Sequence, residues 1–269
     1  MMFLHPTRRQ IARSFSLKAS RYSKHAQVQD DVLNRLFDML GAEREGLAAL
    51  RNARIVDLGS GVSNFARQYT VRARPMVPKL LCIDLAAEAL QAIRTECGHR
   101  INGLVADIEE LPVRPGSFDV AVLSSVIQWL SNPAKALRAA NNCLGEGGLL
   151  AYSAFLPPTH AELKALGLFE RIPCPVSYYT AEELSTFLEN AGFSLISLNE
   201  LVTTSHFATP WDALRSFSRI GASVHAGVRL TRRELSQLCA DYGKRFGGEQ
   251  GVPLTYAVAY GIARKAAKR

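Results

Sequence analysis

Between residues 54 and 155, short apolar runs alternate with helical stretches, and no other feature of the chain limits its fold as tightly. The strand-like runs are 54–58, 80–83, 104–106, 119–123 and 149–155. The clearest helical stretches between them are 86–97 and 133–144, the second opened by Pro133 and expected to stop at Gly145. Strand, helix, strand in repetition predicts a mostly parallel sheet with right-handed crossovers and helices on both faces.

An amphipathic helix precedes this block, because Val32, Leu33, Leu36, Phe37 and Leu40 recur at helical spacing. After Phe155 the rhythm changes. Pro157-Pro158 breaks the chain, and a helix is expected from about Ala161. Thr180, with Glu183 three residues on, is a capping-box signature opening a helix that ends near Gly192. Residues 193–202 and 254–263 read as the last two strands, separated by helical stretches at 211–220 and 231–246. In 269 residues this describes one large domain with an insertion. Its parts are an N-terminal segment (1–45), a ligand-binding core (50–155), further core elements (156–203), a helical cap (204–251) and a final strand (252–264). The expected fold is therefore α/β, with seven strands and a helical cap between the last two.

Charge has to be located before it is interpreted. The formal net charge is +8, but residues 1–29 hold six Lys/Arg and no acid, and residues 264–269 hold four more. The body, 30–263, then carries 22 bases against 24 acids, about −2. A duplex-binding domain would more often carry its charge as a stripe across the fold, so nucleic acid is not the expected partner. Basic tails suit an acidic protein partner, and they equally suit simple solubilisation. The acid-free start also mimics an organelle transit segment. No apolar run approaches 18 residues, so no bilayer-spanning helix is expected. Cys82, Cys97, Cys143, Cys174 and Cys239 are scattered without a CxxC pair, which fits reduced thiols in a cytoplasmic protein and no metal site.

The chemistry is carried by Ile55-Val-Asp-Leu-Gly-Ser-Gly-Val-Ser-Asn64. A strand runs into Gly59-x-Gly61, where glycines allow a sharp turn and a close approach of backbone to ligand. Asp84 ends the next strand, 23 residues beyond Gly61, where a carboxylate can accept both hydroxyls of a ribose. Asp107 ends the third strand and suits an adenine amino group. A dinucleotide fingerprint wants a third glycine where Asn64 stands, so the pyrophosphate reading weakens. Gly-x-Gly after a strand is by itself a common structural turn. Three acid-tipped strand ends without a phosphate loop suggest a ligand with adenosine and no pyrophosphate, of which S-adenosylmethionine (SAM) is the common one.

Together with Ser117-Phe-Asp-Val-Ala-Val and Leu144-Gly-Glu-Gly-Gly148, these segments resemble the ordered motifs of class I SAM-dependent methyltransferases. Within that class the chain looks most like the malonyl-[acyl-carrier protein] O-methyltransferases that start pimelate synthesis for biotin. The matching residues are Phe15, Tyr22, His25-Ala26, Gln29, Ile127-Gln-Trp129, Ile220-Gly-Ala222 and Pro253-Leu-Thr-Tyr256. The resemblance implies a Rossmann-like, mostly parallel seven-stranded sheet with an antiparallel last strand, and that residues 10–30 are mature protein. It also implies a SAM site built from Asp57, Gly59, Ser60, Gly61, Asp84, Leu85, Asp107, Ile108 and Ser124. Ser63 stands where the family's loop usually has glycine, and Ser124 where asparagine is common.

The reaction implied is displacement at the sulfonium methyl by the carboxylate of a malonyl thioester. That carboxylate is ionised at neutral pH, so no general base is required and the site must mainly position the reactants. Arg219 is the candidate guanidinium fork for it. Tyr22 and His25 are candidates for a lid over the cofactor, and Trp129 for a pocket wall; each also fits ordinary packing or a solvated surface. Tyr256 reads as structural, and His99, His160 and His225 are given no role. The basic N-terminal segment, with Arg215, Arg219, Arg229, Arg232 and Arg233, would steer acidic malonyl-acyl carrier protein, and a monomer is expected. Two rivals remain open: a methyltransferase for another small acid or quinone-like acceptor, and a non-methylating assembly factor.

Overall fold

The structure is a computed structural model, and it describes residues 27–44, 50–62, 64–73, 79–98, 101–171, 177–219 and 230–267. Seven strands form one sheet: β1 (Ile55–Leu58), β2 (Leu80–Asp84), β3 (Asn102–Val105), β4 (Phe118–Ser124), β5 (Leu144–Phe155), β6 (Phe193–Phe207) and β7 (Val252–Lys265). Their spatial order is β3-β2-β1-β4-β5-β7-β6. The first five run parallel, and β7 is antiparallel to both neighbours.

Helices α1 (Gln27–Glu43), α2 (Asn64–Gln68), α3 (Ala87–Cys97), α4 (Pro133–Cys143), α5 (Ala161–Ala165), α6 (Leu168–Arg171), α7 (Ala181–Asn190), α8 (Pro210–Arg219) and α9 (Arg232–Phe246) cover the sheet. All four residues of β1 are buried, so both faces of the sheet carry a core. Because side chains alternate along a strand, Ile55, Cys82, Val120 and Val122 join one cluster with Val32, Leu36, Phe37 and Leu40 of α1. Val56, Ile83, Ala121 and Leu123 face the other, with Leu137 and Ala140 of α4 and Leu184 and Leu188 of α7.

Arg54 fastens the sheet at the amino ends of β1 and β4. Its Nη2 lies 2.7 Å from Asp119 Oδ1, and its backbone N–H donates to Oδ2 at 2.8 Å. Burial raises the Asp119 pKa, but the Arg54 hydrogen bonds and charge outweigh it and hold the carboxyl below its ordinary value.

Thr180 and Glu183 form the expected capping box of α7, and Thr231 with Glu234 forms a second one at α9. Several expected boundaries move. α4 ends at Cys143 before Gly145, because Leu144 already pairs with Phe118 as the first residue of β5. β6 runs five residues beyond the expected 202, to Phe207, because every one of them has a partner on β7. Residues 204–207, assigned above to the cap, thus belong to β6, and the final strand extends to Lys265.

Candidate cofactor and acceptor site

The cleft is set by topology. Consecutive connections leave β1 to β2 and β3 on one side and reach β4 and β5 on the other, so the carboxyl ends of β1 and β4 flank the switch point of the sheet. Gly59 and Gly61 sit there with φ of +68° and +52°, conformations that a side chain disfavours. The two glycines differ in surroundings. A Cβ on Gly59 would lie 2.7 Å from Val126 Cγ1, so the turn after β4 packs directly on the glycine loop. A Cβ on Gly61 would meet nothing within 4 Å, which leaves room for a ligand to lie against the backbone. Ser60 Oγ is buried without a hydrogen-bond partner among the described residues. An open glycine backbone beside an unmet buried hydroxyl is a cradle that fits the polar end of a small ligand such as SAM.

Asp84 tightens this cradle. Its Oδ2 accepts the Gly61 N–H at 2.7 Å and its Oδ1 accepts the Ala86 N–H at 2.8 Å. Burial raises the Asp84 pKa, opposed by the N–H groups of Ala86, Gly61 and Leu85. The same carboxylate therefore shapes the glycine turn and stands at the tip of β2. Asp57 lies two residues before Gly59 in β1 and is 4% exposed. Asp107 caps the 3₁₀ turn Ile108–Glu110 by accepting the Glu109 N–H at 2.9 Å, and Ile108 is buried beside it. Glu109 anchors that turn from behind, since its buried carboxylate accepts from Ser131 N–H and Oγ and from Asn132 N–H at 2.8–3.1 Å.

Across the cleft, Ser124 ends β4, and its hydroxyl and that of Ser153 share a hydrogen bond at 3.1 Å. The next residue, Ser125, has φ +58°. It is held there by N–H donation to Ser153 Oγ (2.9 Å) and Ser153 O (3.0 Å), and by its carbonyl accepting Gln128 Nε2 (2.8 Å). Ser125 Oγ and Gln128 Oε1 are buried without hydrogen-bond partners among the described residues. Trp129 closes the same short turn, half-buried against the core. The Gln128 carbonyl accepts Ser177 N–H at 2.9 Å, which carries the network to Tyr178.

Tyr178 Oη is 3.0 Å from His160 Nδ1, and the His160 and Tyr256 rings meet edge-on at 5.1 Å. His160 is 3% exposed, and desolvation pushes its pKa down to about 3, so the imidazole is neutral in physiological conditions. Burial raises the Tyr256 phenol to about 12, and a hydrogen bond to Ser216 ties it to α8 of the cap. Tyr256 is thus a packed joint, in keeping with its structural reading.

Sequence reasoning placed the glycines and strand-tip acids, met Gln128 only within the Ile127-Gln-Trp129 match, gave His160 no role and passed over Ser125 and Tyr178. A serine with positive φ leaves no local signature, and burial of a histidine depends on distant partners. Tyr22, His25, Ser63 and the 220–222 segment lie outside the described residues, as does the side chain of Arg219, the last residue of α8. No described helix is long and apolar enough to cross a membrane.

Residues 22–198 match the family described as a methyltransferase domain. The chain is similar to the malonyl-[acyl-carrier protein] O-methyltransferase of Geobacter sulfurreducens, at 32% identity over 96% of this chain and 99% of that protein. It is also similar to the malonyl-[acyl-carrier protein] O-methyltransferase of Chlorobium phaeovibrioides, at 29% identity over 95% of each. Among solved structures, the Burkholderia thailandensis 1,6-didemethyltoxoflavin-N1-methyltransferase with bound S-adenosylhomocysteine shares the fold, with TM-score 0.55 and 14% identity over 99% of this chain and 94% of that one. Sheet order, cleft position and similarity along the whole chain agree: this chain belongs to the methyltransferase domain family and, within it, to the malonyl-[acyl-carrier protein] O-methyltransferases.

Proposed function

We propose that this protein transfers a methyl group from SAM to the free carboxylate of malonyl-acyl carrier protein, giving the methyl ester that primes pimelate assembly for biotin. The observation that carries this reading is the similarity to the Geobacter sulfurreducens relative across the full length of both chains, the cap and last strand included.

Bound in the cleft, SAM supplies an electrophilic methyl group on a sulfonium. The chain's own residues do the rest. Asp84 keeps lone pairs for the ribose hydroxyls while holding Gly61 and Ala86; Leu85 continues that wall. Asp107 and Ile108 would flank the adenine. Asp57, Gly59, Ser60, Gly61 and Ser124 surround the methionine end. The malonyl carboxylate needs no proton removed, so the chain acts by alignment and exclusion of water. His160 is suited to the wall of such a pocket and not to acid–base work, because burial keeps it neutral.

Tyr22 and His25 close over the cofactor. The support lies in α1, whose Asp30 accepts a hydrogen bond from Asn64 at the start of α2 and so ties the first turn of α1 to the helix that follows the glycine loop. Trp129 walls the acceptor side, and Arg219, the last residue of α8, would be the guanidinium that orients the carboxylate. Arg232 and Arg233 are exposed at the start of α9. With Arg215 they offer positive charge to acidic carrier protein, to which Arg229 and the basic N-terminal segment, outside the described residues, would add. The protein works as a cytoplasmic monomer with neither nucleic acid nor membrane as partner.

The test is incubation with methyl-labelled SAM and either malonyl- or acetyl-carrier protein, followed by mass spectrometry of the carrier. A methyl ester on the malonyl carrier alone is expected. Label on a small acid offered without carrier, or no label on either, would overturn the assignment.

A further inference from the structure

The turn after β4 carries a polar site that neither the cofactor nor the fold accounts for. Ser125 and His160 are the two non-glycine residues with positive φ among those described. His160 lies in a packed aromatic cluster. Ser125 instead sits at the cleft, its backbone held by three hydrogen bonds and its hydroxyl buried without a partner among the described residues. Left-handed non-glycine residues that their surroundings over-determine are found preferentially at functional positions.

The strand order says what the Ser125 turn faces. SAM is linear in its chemistry: adenine, ribose, sulfonium. The strand tips are ordered β3, β2, β1, β4, with Asp107, Asp84, the glycine loop and Ser125 at successive ends. If adenine lies at β3 and ribose at β2, the sulfonium falls at the glycine loop, and the group attacking its methyl approaches from β4. Val126 packed on Gly59 brings that tip against the loop. A neutral hydroxyl suits this place, since it can orient a carboxylate without quenching the oxygen that must attack.

The geometry points to Ser125 as the hydrogen-bond donor that holds the malonyl carboxylate and selects it over an acyl group lacking one. This rests on the function proposed above. The Ser125 Oγ–H donates to one carboxylate oxygen while the other attacks the methyl carbon. As the new O–CH3 bond forms, the S–CH3 bond breaks and its electron pair stays on sulfur. A carboxylate and a sulfonium thereby become a neutral ester and a neutral thioether, with no proton exchanged.

The test measures binding of malonyl-pantetheine and acetyl-pantetheine to the full chain by calorimetry, with S-adenosylhomocysteine present so that no turnover occurs. Ser125→Gly keeps the left-handed turn and removes the hydroxyl; Ser125→Ala is the second variant. Wild type should prefer the malonyl compound. Ser125→Gly should lose about 10- to 100-fold of malonyl affinity, with acetyl and S-adenosylhomocysteine affinities and melting temperature held or raised. Unchanged malonyl affinity in both variants would overturn the assignment while leaving the substrate reading intact. Loss of S-adenosylhomocysteine affinity instead would move the hydroxyl to the cofactor and overturn it equally. A wild type without malonyl preference would sink the substrate reading and this inference together.

Discussion

The Asp84 carboxylate accepts two backbone N–H groups, at 2.7 and 2.8 Å, and so couples the glycine turn to the tip of β2. Asp84→Ala should therefore have two effects. SAM affinity falls by about 1–3 kcal/mol with the loss of ligand hydrogen bonds, and stability falls as the Gly61 and Ala86 N–H groups lose their acceptor. Calorimetric titration and urea unfolding separate the two, and unchanged SAM affinity would contradict the ribose role. His160 gives a prediction in pH. Its folded pKa is depressed to about 3 against 6.5 in the open chain, so the unfolded state takes up a proton that the folded state refuses. Stability contributed by the neutral ring is complete above pH 6.5 and is lost as pH falls towards 3, by up to about 5 kcal/mol in all. The slope of unfolding free energy between these values should flatten in His160→Gln, and an unchanged slope would contradict the burial argument.

At the level of elements, the two loop glycines are conserved in conformation but not in crowding. Gly59→Ala forces a positive φ and a collision with Val126, together costing roughly 2–4 kcal/mol of stability. Gly61→Ala meets no atom and should cost only the backbone term of about 1–2 kcal/mol. Adding Val126→Ala should return part of the Gly59→Ala loss and none of the Gly61→Ala loss, a pattern that chemical denaturation of the four proteins reads out. Much of this architecture was legible in the sequence because its signals are local. The five parallel strands, the Thr180 capping box and the acids at strand tips all follow from short-range pattern. What was not legible depends on partners far along the chain. Thr203-Thr-Ser-His-Phe207 carries no clear strand signal of its own and extends β6 because residues 252–256 pair with it. Gln128 looks like a surface residue of a short turn, yet it is 2% exposed because the 177 loop and the β4–β5 edge close around it.

Along the sequence, the net positive charge falls in residues 1–29 and 264–269, while residues 30–263 together carry about −2. Attraction to an acidic carrier then acts at range and is screened by salt, while the chemistry in the cleft is not. The kcat/KM for malonyl-carrier protein should fall several-fold between low and high ionic strength, whereas that for malonyl-pantetheine should change little. Parallel decline of both would place the salt effect in the cleft. The cleft itself is the point on which every other statement turns, and a crystal structure with S-adenosylhomocysteine addresses it most directly. The expected result has the ribose hydroxyls on Asp84, the adenine beside Asp107 and Ile108, and the sulfur between the glycine loop and Ser125. The compound bound elsewhere, or a cleft between β1 and β4 filled by side chains, would contradict the account.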